Sequence, residues 1–168
     1  MGYASGFERQ GAADAEKLEE AVALAKKADP VLLWPGVEMT VVDELRESEG
    51  LDRADMKLAE NQQQLLAAVA AVNPNVVVLL SAGAPVETPW VGQCRALVYG
   101  ALGGQAGAGA AADILTGKLC PCGKLSQTWA QAHDDTPAKA NFGGEGRNVE
   151  YREGLYAVSY TPLTLPTT

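Results

Sequence analysis

The chain is poor in the residues that most often carry chemistry or staples. It has one histidine, three cysteines and 6% aromatics among 168 residues. The lone histidine, His133, sits in a polar stretch, and no G-x-S-x-G elbow accompanies it. A serine triad built on Ser81, at the end of an apolar run, is therefore disfavoured. Cys94, Cys120 and Cys122 are too few and too odd in number for a disulfide framework. Cys120-Pro121-Cys122 with His133 lacks the second ligand pair that a zinc site needs, so no metal is expected. Basic residues are also scarce. Thirteen Lys and Arg face 21 Asp and Glu, for a net charge of −8. That balance argues against nucleic acid and against an anionic membrane surface, because both require clustered cations. No apolar run approaches the roughly 20 residues of a membrane span. No basic stretch followed by an apolar one opens the chain as a leader would.

What is present is a globular composition, 47% apolar and 20% charged, in a length that suits one domain. Leu18, Ala21, Val22, Ala25 and Ala28 recur at helical spacing, so a helix is predicted over 14–28 with Asp14 as N-cap and Pro30 as its stop. Val31–Trp34 reads as a short buried strand. A second helix is predicted over 59–72, with Leu65, Leu66, Val69, Ala70 and Val72 facing inward, and Asn73-Pro74 breaking it. The run Val76–Leu80 is apolar throughout and rich in β-branched residues. It suits a strand covered on both faces, as in a parallel sheet. Ala96–Tyr99 reads as another strand. A third helix is predicted over about 106–116, stopped by Gly117. Leu125–Trp129 alternates in the manner of an edge strand. The third helix and its flanking strands would form a right-handed crossover. From 131 onward the chain is polar and should wrap the surface. The expected class is α/β: a three-layer α/β/α sandwich with a mainly parallel sheet, followed by an irregular C-terminal segment.

Two stretches invite a functional reading. Gly103-Gly104-Gln105-Ala106-Gly107-Ala108-Gly109 follows a strand and opens a helix, a context that can cradle a phosphate. The spacing is not G-x-G-x-x-G and no Lys-Ser/Thr follows, so close helix–sheet packing is the better explanation. A flavodoxin-like nucleotide-binding or interaction module remains the rival reading. The second stretch is Glu47-Ser48-Glu49-Gly50-Leu51-Asp52-Arg53, inside the long irregular region 35–58. A general acid for glycoside cleavage needs a carboxyl of raised pKa, and a neighbouring carboxylate can raise it. Two solvated loop glutamates would look the same on these residues alone.

The surroundings decide between them. The chain resembles the α/β sandwich domain of glycoside hydrolase family 3 β-glucosidases from about Tyr3 to Tyr156. The likeness is carried by Ser48–Arg53, Glu60-Asn61-Gln62, Val72–Val78, Pro85–Trp90, Gly103–Gly107, Gly123-Lys124-Leu125 and Val149–Tyr156, in that order and spacing. The resemblance implies a retaining β-glucosidase-type hydrolase acting on a β-glucoside or oligosaccharide without a cofactor. It implies a TIM-barrel domain, absent here, that supplies an aspartate nucleophile. Retaining chemistry places the two carboxyls about 5–5.5 Å apart, so the site would form where the two domains meet. Glu49 matches the family's acid/base position, with Glu47 the second candidate. Asp52 and Arg53 would brace the loop through a charge pair. Leu51 stands where the family usually shows an aromatic, and Ala130 and Gly143 where proline is common. Trp34-Pro35-Gly36 replaces a more regular strand end. After Tyr156 the family pattern stops abruptly. Residues 157–168 are expected to be a non-native or disordered tail, and 1–156 part of a longer enzyme.

Overall fold

The computed structural model describes residues 1–8, 13–36, 55–126, 128–141 and 144–150. The element order is helix α1 (Ala15–Ala25), strand β1 (Val31–Leu33), helix α2 (Glu60–Ala70), strand β2 (Val76–Leu80), strand β3 (Ala96–Tyr99) and helix α3 (Gly107–Leu115), with short 3-10 turns between and after them. The strands form one parallel sheet in the order β1-β2-β3. Val31 pairs with Val76, and Val77 with Ala96. The α/β class expected from the residue pattern is the class observed.

α1 begins as predicted. Asp14 Oδ1 accepts from the backbone N–H groups of Glu16 and Lys17, filling two donors that a helix start leaves open. It ends earlier than Pro30 alone would require. The side-chain amide of Asn73 donates to the carbonyls of Ala25 (2.8 Å) and Ala28 (2.7 Å), satisfying oxygens that the helix end exposes. Leu18, Ala21, Val22 and Ala25 face the core. α2 lies beside α1 and buries Leu65, Leu66 and Val69. Together they cover the sheet face that carries Val76, Val78 and Leu80, each fully buried. Alternation along the strands sends Leu32 and Leu79 to the opposite face. That face is covered unevenly: Leu79 is 2% exposed and Leu32 46%.

Three expectations need correction. Leu125, Ser126, Thr128 and Trp129 are not in a strand. Trp129 instead packs edge-on against Tyr99, with ring centroids 4.8 Å apart. The segment is fixed by an aromatic contact rather than a ladder. Consequently, among the described residues no strand follows α3 to close a crossover; the parallel pairings join β1 to β2 and β2 to β3, with α2 between the first pair in the chain and a short 3-10 turn between the second. Strand β1 stops at Leu33, so Trp34 lies beyond it. α3 does end where the glycine predicts. Gly117 takes φ +75°, and its N–H donates to Ile114 O.

Candidate functional site

In open parallel sheets, ligands meet the carboxyl ends of the strands, where loops leave the scaffold. Here that edge is formed by Trp34-Pro35-Gly36 after β1, Ser81-Ala82 after β2 and Gly100 after β3. β1 is interrupted at Trp34-Pro35 because proline has no N–H to give the ladder. Pairing then resumes for one residue in the same register, as Gly36 bridges Ser81. Pro35 O accepts from the Ser81 N–H at 3.0 Å. The Trp34 indole N–H donates to Ser81 Oγ at 2.7 Å, leaving the ring half exposed. Ser81 is thus an acceptor for tryptophan. His133 is tied elsewhere: its backbone N–H donates to Glu87 Oε1 at 2.8 Å.

Gly36 is held from two directions. On one side, a Cβ at this position would stand 2.8 Å from Ser81 O, so only glycine lets the strands approach this closely. On the other, the Gln62 side chain makes two bonds to the same residue. Its Oε1 accepts from the Gly36 N–H at 3.0 Å, and its Nε2 donates to Gly36 O at 2.9 Å. Gln62 sits in the first turn of α2 and is only 5% exposed. The residues that follow 37–54 are anchored too. Glu87 N–H donates to Met56 O at 2.7 Å, and Asp55 Oδ1 accepts from the Lys57 N–H at 2.7 Å. Both flanks of 37–54 are therefore fixed by α2 and by the turn after β2.

Glu47, Glu49, Asp52 and Arg53 lie outside the described residues, as do Gly143 and residues 157–168. The flanks that hold their segment are what the described chain supplies. The glycines at 103–109 are placed. Gly103 backs onto Gly107, where a Cβ would come within 2.8 Å of the Gly107 Cα. Gly107 and Gly109 face open space, and α3 buries none of its residues. Close helix–sheet packing therefore does not explain them. Cys120 and Cys122 are exposed free thiols, whereas Cys94 is half-buried and burial pushes its thiol pKa up. Among the described residues no three His, Cys, Asp or Glu side chains gather as a metal would require.

Sequence reasoning placed no role on Gln62, Glu87 or Ser81's contact with Trp34. For Gln62 a signal existed. A glutamine flanked by Asn61 in the first turn of an otherwise apolar helix face is an odd residue to bury. Which backbone it meets depends on a contact 26 residues away.

The sequence pattern of the glycosyl hydrolase family 3 C-terminal domain matches residues 4–160. The chain is 41% identical over 155 residues, 92% of its length, to the thermostable beta-glucosidase B of Acetivibrio thermocellus, of which it covers 20%. It is 40% identical to an exo-alpha-(1->6)-L-arabinopyranosidase of Bifidobacterium longum, over 86% of this chain and 19% of that enzyme. Among solved structures, the GH3 beta-glucosidase of Bifidobacterium adolescentis superposes with a TM-score of 0.81 at 41% identity, over 94% of this chain and 23% of that one. The beta-glucosidase of Kluyveromyces marxianus in complex with glucose gives 0.74 at 37%, over 86% and 17%. The parallel α/β sheet is accordingly that of a glycoside hydrolase domain. The chain belongs to glycosyl hydrolase family 3, as its C-terminal domain, and spans about a fifth of the curated relatives it matches. The nucleotide-binding rival is not favoured.

Proposed function

We propose that this domain contributes the general acid/base of a retaining β-glucosidase-like hydrolase acting on terminal β-D-glucosyl or related residues. The observation that carries the reading is the family match across residues 4–160, with Ser48-Glu49-Gly50-Leu51-Asp52-Arg53 inside it. Glu49 protonates the departing glycosidic oxygen, then removes a proton from the water that releases the sugar. Glu47, two residues earlier in the chain, is the second candidate for the same role. Asp52 and Arg53 brace the loop. The aspartate nucleophile belongs to a TIM-barrel domain of the same parent polypeptide, so the active site assembles only where the domains meet.

Two measurements test this. The 168-residue chain alone should not turn over an aryl β-glucoside; hydrolysis above buffer that vanishes in Glu49→Gln would refute the missing nucleophile. In the full-length enzyme, Glu49→Ala should lose activity and regain part of it with azide and an activated aryl glucoside. A good leaving group needs no proton, and azide needs no base. Rescue at Glu47→Ala but not at Glu49→Ala would move the role to Glu47.

A further inference from the structure

We propose that Cys120 and Cys122 form a two-thiolate site for a soft, thiophilic cation, the cuprous ion, held in line between the two sulfurs. Both thiols are free and exposed. Two sulfurs fall short of the four ligands that zinc takes, and among the described residues no third His, Cys, Asp or Glu joins them. Soft thiolates favour the cuprous ion, for which two sulfurs in a line suffice. The stem of the site is held. Leu119 N–H donates to Asp113 O at 3.0 Å, and Lys118 Nζ donates to Asp113 Oδ1 at 2.9 Å. The chain is therefore tied to the end of α3 one residue before Cys120. The Cys120 Sγ–H points at Pro121 O, 3.9 Å away, which turns the thiol toward the peptide leading to Cys122. Cys120 and the residues up to Leu125 belong to neither helix nor strand. No ladder or helix bond has to break for Cys122 to turn its thiol the same way.

Pro121 favours a bridging metal over a disulfide. Its ring fixes its own φ, and the residue before a proline is pushed to extended backbone. Two residues of extended chain span at most about 7 Å. Disulfides prefer Cα atoms about 5.5–6 Å apart, so direct closure works against the proline. A metal between the sulfurs relaxes that demand. Two metal–sulfur bonds, each about as long as the 2.3 Å of zinc thiolates, hold the sulfurs about 4.6 Å apart. A disulfide would need them about 2 Å apart. On binding, each sulfur loses its proton to solvent and gives a lone pair to the metal. No electron changes hands.

The test titrates the reduced chain, without oxygen, against cuprous bicinchoninate, whose colour fades as the protein takes the metal. One cuprous ion per chain is expected, on a monomer by size-exclusion chromatography. Raising the pH from about 6 to about 8 should tighten binding, because the ligands are thiolates. Cys120→Ser and Cys122→Ser should each weaken it by about 100-fold or more, since the second bond is no longer intramolecular. Both residues are exposed, so neither change disturbs the core. Cys94→Ala removes the half-buried thiol near Val91 O and should leave the affinity unchanged. No metal withdrawn from the chelator overturns the proposal. So does undiminished affinity in Cys120→Ser or Cys122→Ser, an affinity that ignores pH, or a complex that forms only as a dimer.

Discussion

Asn73 offers the sharpest test of how this domain is held together. It is 7% exposed, in the turn between α2 and β2. Its Nδ2 donates to the carbonyls of Ala25 and Ala28, and its Oδ1 accepts from the Asn75 N–H at 2.8 Å. One side chain thus joins the end of α1 to the start of β2, 45 or more residues apart. Asn73→Ala removes three bonds at once. The Ala25 carbonyl contact is buried and cannot be replaced by water, which costs about 1–3 kcal/mol. The other two are partly buried, where water offsets part of the loss, and each adds about 0.5–1 kcal/mol. The sum is about 3 kcal/mol, or a Tm lowered by roughly 6–12 °C for a domain of this size. Asn73→Asp keeps the volume and the acceptor but sets a carboxylate against two carbonyl oxygens. At neutral pH it should be at least as destabilising as alanine. Urea unfolding followed by circular dichroism measures both. A loss below about 0.5 kcal/mol in Asn73→Ala would show that the tie is not structural.

Two further outcomes follow from the titratable groups. Iodoacetamide at mildly alkaline pH should label Cys120 and Cys122 first and Cys94 slowly, because burial raises its thiol pKa and its Sγ–H is engaged with Val91 O; labelling of all three at one rate, followed by mass spectrometry, would contradict this. The Lys139 ammonium bonded to the Asp134 carboxylate holds that carboxyl below its usual range. Lys139→Ala should therefore raise the Asp134 titration midpoint measured by carboxyl NMR. The sign for stability is that of a depressed acid. The pair contributes above the ordinary aspartate pKa and fades as pH falls through the lowered one. Because the pair is exposed and screened, the melting temperature should hardly move.

Much of the architecture was legible in the residue pattern because it follows from local rules. The Asp14 cap, the inner stripes of α1 and α2, and the glycine stop at Gly117 depend on residues a few positions apart. The apolar run Val76–Leu80 announced a strand covered on both faces, and it is the central strand of the sheet, with Val76, Val78, Leu79 and Leu80 buried. Leu125–Trp129 misled because alternation alone does not supply a partner strand. Trp129 found the Tyr99 ring instead. Gly107 and Gly109 misled because small residues permit close packing without compelling it.

The sequence by itself determined the family. A motif such as Ser48–Arg53 is a matter of residue identity and spacing, and needs no coordinates. What only the tertiary structure decided is how the flanks of that motif's segment are held. Gln62 lies 26 residues from Gly36, and Glu87 lies 31 from Met56. Nothing in a linear reading brings them together. The contacts exist because β1 and β2 pair in one register, with α2 laid across them. That register sets Gly36 beside Ser81 and within reach of the Gln62 amide.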